Sequence, residues 1–134
     1  MRISVIAVGR LRPPYQDDVE HYRRLLAGHA KVELIEVRED EKAAPRVPAR
    51  ALIVLLASEG RSFDSEGFSR WLEERRQDGR DVCFVIGGPK GLEMEADLRL
   101  SLGPMTLPHQ LARVVLLEQL YRAHKILARE PYHY

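Results

Sequence analysis

Ile3, Val5 and Ala7 recur at every second position near the start of the chain, the period of a β-strand, and predict a first strand over residues 2–8. Val19, Tyr22, Leu25 and Leu26 follow helical spacing instead and predict a helix over 14–28, with Pro14 suited to its first turn and Gly28 to its end. A second strand is expected over 31–37. The charged stretch 39–50, broken by Pro45 and Pro48, reads as a loop and as the place for mobility. Residues 51–57 form a continuous apolar run of strand length, as a parallel strand buried on both faces requires. After a loop over 58–64, Phe68, Trp71 and Leu72 share one face of a helix over 65–78, which Gly79 closes. Residues 81–86 read as another buried strand, running straight into Gly87-Gly88-Pro89-Lys90-Gly91.

Strand and helix signals therefore alternate. That order implies βαβ units and a single α/β domain over residues 1–134, a parallel sheet with helices on both faces. The last third departs from the rhythm. Residues 101–108, SLGPMTLP, are punctuated by Gly103, Pro104 and Pro108 and suit neither strand nor helix. A long helix is expected over 109–128, where Leu111, Val114, Val115, Leu116, Leu117, Leu120 and Tyr121 leave little polar face at its centre. A helix apolar on most sides is buried on most sides. Either its own domain encloses it, or a second copy of the chain covers one side, making a homodimer.

Composition narrows the classes. Hydrophobic residues make up 45% and charged residues 31%, as in a soluble globular domain. No run approaches the roughly 18 apolar residues of a membrane span. The opening MRISVIAVGR is too short for a signal peptide, so the cytoplasm is the expected compartment. The lone Cys83 lies in an apolar run, which excludes an internal disulfide framework and a cysteine-rich metal site. No Ser-His-Asp order, paired carboxylate motif or metal-ligand spacing stands out, and His21, His29 and His124 read as surface or packing residues. Net charge is +1, so a nucleic-acid partner would have to meet local basic groups or a surface pooled by two chains.

Candidate chemistry gathers in the second half. GGPKG follows a buried strand, and ligands of open α/β sheets bind outside the carboxyl ends of strands. It lacks the spacing of a dinucleotide loop or a P-loop, and Pro89 removes an amide donor from any phosphate cradle. A tight strand-to-helix turn is an equal reading of it. SLGPMTLPH can form a pocket of set shape, with backbone groups for an adenine edge and Leu102, Met105 and Leu107 for the ring faces. It can also be an irregular connection packed on the core. The terminal Glu130-Pro131-Tyr132-His133-Tyr134 offers rings that can stack on bases and a histidine that can handle a proton, or simply a tail on the surface. Arg113, Arg122, Lys125 and Arg129 fall on or near the expected exposed side of the last helix, and Arg10 and Arg12 follow the first strand. Such groups suit phosphate contacts.

Together, FVIGGPKGL, SLGPMTLPHQLARVVLLEQLYRAHKIL and PYHY resemble the SPOUT methyltransferase superfamily. Within it the chain resembles the small single-domain RlmH family, which methylates N3 of a pseudouridine in large-subunit (23S) ribosomal RNA. The similarity spans the whole chain, including the strand ending in Val8-Gly9 and the helix ahead of Asp78-Gly79-Arg80-Asp81-Val82. The resemblance implies a C-terminal trefoil knot, an exception to un-knotted connections, that forms a pocket for S-adenosyl-L-methionine. It implies cofactor contacts at Leu56, Gly88, Gly103, Pro104, Met105, Thr106, Leu107 and Pro108. It also implies a homodimer whose active sites are completed across the interface, acting on ribosomal RNA, the large subunit or the assembled ribosome, with no metal and no membrane. In that setting His133 is the candidate for proton handling or base orientation and Tyr132 for stacking on the nucleotide, with RNA contacts at Arg113, Arg122, Arg129 and Tyr134.

This sequence departs from the family in two places. Family members commonly end in Tyr-His followed by Arg or Lys, whereas Tyr134 takes that place here, so Arg129 or Arg122 would supply the missing charge. Segment 39–50 is shorter than the family's, with the helix before the third strand trimmed. The change at Tyr134 keeps open a non-catalytic RNA- or ribosome-binding module on the same fold. A nucleotide-binding protein using GGPKG for phosphate is disfavoured by Pro89.

Overall fold

Five strands make one parallel sheet in the computed structural model, which describes residues 1–132. They are β1 (Arg2–Val8), β2 (Lys31–Val37), β3 (Leu52–Ser62), β4 (Val82–Ile86) and β5 (Leu98–Ser101), in the order β2-β1-β4-β3-β5. The helices are α1 (Tyr15–Ala27), α2 (Ser65–Gln77) and α3 (His109–Leu127).

Handedness decides where the connections run. A crossover between parallel strands is right-handed, so connections stepping across a sheet in opposite directions must pass over opposite faces. The steps from β1 to β2 and from β3 to β4 go one way, and each carries a helix, α1 or α2. The steps from β2 to β3 and from β4 to β5 go the other way, and neither contains an α-helix. α3 then enters the helix layer and packs against both α1 and α2. The expectation of helices on both faces is therefore corrected. All the α-helices among the described residues cover one face, because the two connections that return across the sheet are the ones without helical sequence.

Strand alternation sorts the core accordingly. Ile3, Val5, Ala7, Val82, Phe84 and Ile86 face the helices, while Ile6, Val8, Cys83 and Val85 face the other way. On the helix side Phe84 meets Phe68 and Trp71 at ring separations of 6.2 and 6.4 Å, and Leu116, Leu117 and Leu120 of α3 are fully enclosed. Each such side chain contributes about 1.5–3 kcal/mol by burial. The other face is roofed by residues 38–50 and 87–97. The charged stretch expected as a mobile loop forms two 3-10 turns, Asp40–Lys42 and Ala44–Arg46, anchored through fully buried Ala43. Leu92, Met94 and Ala96 cover the rest. Burial pushes the Cys83 thiol up to about 11, in keeping with a packing role.

β1 and β2 take their predicted spans, and α2 starts under Asp64, whose carboxylate accepts a hydrogen bond from the Gly67 amide at 2.6 Å. Two differences bear on the site. β3 continues to Ser62 where a loop was expected, and β5 occupies a stretch with no predicted element. The two pair at Val54–Leu56, part at a bulge, and pair again at Arg61 and Ser62. No helix among the described residues is long and apolar enough to cross a membrane. No group of three or more His, Cys, Asp or Glu among them is placed to hold a metal ion.

Candidate functional site

Because all the strands are parallel, their carboxyl ends share one edge of the sheet. A cleft of about 210 Å3 opens there, between the bulge of β3, the ends of β4 and β5 and the first turn of α3. GGPKG supplies one wall. Its Gly91 amide donates to the Gly88 carbonyl at 2.9 Å, closing a turn with Pro89 and Lys90 at its centre. Gly87 permits the chain to double back, since a Cβ there would lie 2.6 Å from Cβ of Leu92. The opposite wall is the segment after β5. Gly103 turns it at φ +137, a conformation that side-chain-bearing residues rarely take. The Ser101 hydroxyl accepts from the Gly103 amide at 3.1 Å and lies within 3.0 Å of the Ser58 and Gly103 carbonyls. Ser101 is buried, so this hydroxyl ties the loop to the β3 bulge; nothing in the sequence pattern marked it.

Six of the eight expected cofactor residues line the cleft: Leu56, Gly88, Gly103, Met105, Thr106 and Leu107. Pro104 and Pro108 do not line it; both are exposed, and Pro108 caps α3 in an extended conformation. The lining suits a flat apolar ring with polar edges. Leu56, Leu102 and Leu107 can cover ring faces, and the loop's amides and carbonyls can meet ring nitrogens. A Cβ on Gly103 would meet nothing within 4 Å, so this glycine borders open space, whereas one on Gly88 would touch Cγ1 of Val8 at 3.6 Å, an ordinary packing contact. Met105, at 82% exposure, is the one large hydrophobic side chain among the described residues left uncovered, and it stands at the mouth. A larger hollow of about 360 Å3 shares Leu100, Leu102 and Gly103 but lies toward α2 and Gln119, away from the GGPKG turn. The smaller cleft is the better candidate, because both glycine-rich segments converge only there.

The first turn of α3 fastens the cleft to the end of β1. Gln110 donates through Nε2 to the Arg10 carbonyl at 2.7 Å and accepts at Oε1 from the Arg12 amide at 3.0 Å. Those bonds fix the orientation of its side-chain amide. Its remaining N–H faces Nε2 of His109 at 3.4 Å, which suits an unprotonated nitrogen. Burial, Arg113 and Arg12 all hold the His109 imidazole below the usual histidine range. Among the described residues lining the cleft, His109 alone carries a side chain that exchanges protons near neutral pH. Its signal in the sequence was position: an ionisable residue directly after the glycine- and proline-rich loop.

The expected exposed basic surface on α3 needs correction. Arg113 is buried and spans from the Val8 and Gly9 carbonyls, at 3.2 and 2.5 Å, to Glu36 at 3.2 Å. It falls in step with Leu116, Leu117 and Leu120, so helical spacing places it on the inner face. Arg122 is mostly covered and pairs with Glu118 at 2.8 Å, and Lys125 pairs with Glu130 at 2.8 Å. Arg129 is exposed, as are Arg10 and Arg12 beside the cleft. Tyr132 is docked on the flank of α3. Its hydroxyl donates to Glu118 at 2.6 Å, its ring lies 4.1 Å beneath the Arg122 guanidinium, and burial and Glu118 push its ionisation up. His133 and Tyr134 lie outside the described residues.

Comparison with known proteins agrees in kind. The sequence model of a family described as "predicted SPOUT methyltransferase" matches residues 1–133. Proteins named ribosomal RNA large subunit methyltransferase H are similar over 99% of both chains: those of Gemmatimonas aurantiaca and Acetivibrio thermocellus at 39% identity, and that of Rhodospirillum centenum at 43%. These alignments run over 150 to 158 positions against 134 residues, so this chain carries gaps against each.

Proposed function

The chain belongs to the SPOUT methyltransferase family, and from that membership we propose that it methylates N3 of a pseudouridine in large-subunit ribosomal RNA, using S-adenosyl-L-methionine. The observation that carries the reading is the convergence of GGPKG and SLGPMTLP on one cleft at the carboxyl edge of the sheet. Leu56, Gly88 and residues 103–107 would hold the cofactor there, with Pro104 and Pro108 setting the loop's shape and Met105 covering the mouth. When bound, the cofactor supplies an electrophilic methyl group on a sulfonium. The protein's part is to keep water out and to hold the target nitrogen in line with that group. One domain over residues 1–134, closed by a C-terminal trefoil knot and acting in the cytoplasm, serves this reading.

A homodimer completes it. The cleft is smaller than the ~300 Å3 usual for ligand pockets, and it is open. Tyr132 is seated against Glu118, roughly 9 Å along α3 from Ala112 at the cleft wall, given a rise of about 1.5 Å per residue. In this reading the tail of one chain serves another chain's cleft, with His133 and Tyr132 acting at the base and Arg129 and Tyr134 at the RNA. Ribosomes from a strain lacking the activity, incubated with the protein and S-adenosyl-L-methionine, should gain one methyl group on a single pseudouridine, mapped by mass spectrometry. Cofactor binding in calorimetry without any methylation would instead favour a module that only binds RNA.

A further inference from the structure

Resting on that reaction, we propose that Arg10 and Arg12 grip the phosphate backbone of the RNA beside the target nucleotide. Past Val8 the chain leaves the sheet at Gly9 and runs through Arg10, Leu11 and Arg12 toward α1. Gln110 pairs with this stretch as a residue of a parallel strand does. Its Nε2 donates to the Arg10 carbonyl, and its Oε1 accepts from the Arg12 amide. On the opposite edge the Leu11 amide donates to Glu36 at 2.7 Å, and Gln16 donates to the Leu11 carbonyl at 3.2 Å. Backbone bonded on both edges in this pattern is extended, so its side chains alternate. Leu11 packs against the core, while Arg10 and Arg12 leave together on the exposed side, their Cα atoms about 7 Å apart.

Their position selects the ligand. His109 and Ala112, which flank Gln110 on the first turn of α3, line the cleft, whereas the two arginines do not. Arg12 is still close enough to help hold the His109 imidazole below its usual range, so its charge stands at the rim. An anion held there lies outside the cofactor's seat, on the side from which the substrate arrives. Neither arginine forms an ion pair among the described residues. Glu36 is taken by Arg113 and the Leu11 amide, and Asp17 and Asp18 in the first turn of α1 pair with neither. By contrast, Arg113, Arg122 and Lys125 of α3 are held by acids of the chain itself. A guanidinium is always charged, and its planar fork matches phosphate oxygens. Phosphate contacts position a nucleic acid without reading its sequence. Because the backbone under these two side chains is already bonded on both edges, gripping RNA orders little beyond the side chains themselves.

The test is a salt series. Wild type and Arg10→Gln/Arg12→Gln are titrated onto ribosomes from the strain lacking the activity, from about 50 to 200 mM salt. The double variant should bind at least ~10-fold more weakly at the lowest salt. Its slope of log affinity against log salt should be shallower by about 1.4–1.8, the share of two phosphate contacts. Arg10→Lys/Arg12→Lys keeps the charges and should recover most of that slope. Both side chains are exposed, so calorimetry should give the glutamine variant an S-adenosyl-L-methionine affinity within about twofold of wild type. In methylation, KM for ribosomes should rise as binding weakens, with kcat changed far less. Arg50→Gln/Arg80→Gln removes equal charge from the opposite, amino edge of the sheet and should keep the wild-type slope. No binding by the wild type, an unchanged slope in the Arg10/Arg12 variant, or an equal change in the Arg50/Arg80 variant overturns the proposal. A lost cofactor affinity also overturns it, by assigning the arginines to the cofactor's carboxylate. Absence of methylation by the wild type overturns the reaction itself, while the salt slopes still decide what the arginines hold.

Discussion

The two ends of α3 hold their surroundings by different means. At the first turn, Gln110 and Arg113 bond to main-chain atoms of residues 8–12, from side chains that are themselves buried. Toward the other end the bonds run between side chains: Glu118 with Arg122 and Tyr132, and Lys125 with Glu130. Buried bonds to backbone leave no alternative partner and fix a geometry. The Lys125–Glu130 pair reaches water and contributes little, while the Glu118 pairs, though mostly covered, join one side chain to another and not to the main chain of the sheet. One helix thus joins a rigid wall, where a reacting atom must be placed, to a tail seat from which a segment can be lifted.

The largest effect should come from Arg113→Ala, which strips the Val8 and Gly9 carbonyls of their donors. A loss of about 3 kcal/mol in chemical denaturation is expected. A loss below about 1 kcal/mol would place the first turn in the same class as the last. Next, Gly103→Ala forces a side chain into a φ of +137, at about 1–3 kcal/mol of local strain. Calorimetry should register this as roughly tenfold or greater weakening of S-adenosyl-L-methionine binding, with the unfolding midpoint moved less than by Arg113→Ala. At the far end, Tyr132→Phe removes one hydrogen bond, at about 1 kcal/mol or less. Faster proteolysis of the last residues, with unaltered cofactor affinity, is the expected sign. A weakened affinity would mean that the tail seat and the cleft are coupled.

The gentlest effect belongs to both ends, since each carries a histidine held below its usual value. His109 is lowered by burial and its arginine neighbours, and His124 chiefly by burial, against a hydrogen bond to the Leu120 carbonyl. For a histidine lowered in the native state, the unfolded chain binds protons first as pH falls. Stability should therefore be level above pH 6.5 and decline as pH drops through 6.5 toward the lowered values. Urea midpoints across that window check this, and His124→Gln should flatten part of the decline.

Much of this was legible where local pattern and tertiary role coincide. β2 and the apolar face of α2 follow their periods because one side of each is largely solvated, while β1, buried on both faces, shows its period because Ser4 stands between Ile3 and Val5. β5 escaped because four residues, Leu98 to Ser101, are too few for a period to show, and its partners lie 39 to 44 residues earlier on either side of a bulge. The tail of β3 escaped because Ser58, Glu59 and Arg61 look like loop until β5 pairs with Arg61 and Ser62 beyond the bulge. In the site, glycine and proline announced the cleft because backbone conformation is a local property. Arg113 defeats a reading by charge, because its register with Leu116 and Leu120 puts it inside. The single-faced helix layer needed strand order, which no local pattern contains.

The bonds from Gln110 to Arg10 and Arg12 span 100 and 98 residues of sequence. During synthesis residues 8–12 emerge roughly a hundred residues ahead of the helix that fastens them. The cleft is therefore completed only once α3 has been made and docked. A nascent chain cannot take up a methyl donor before then, and activity waits on that one helix.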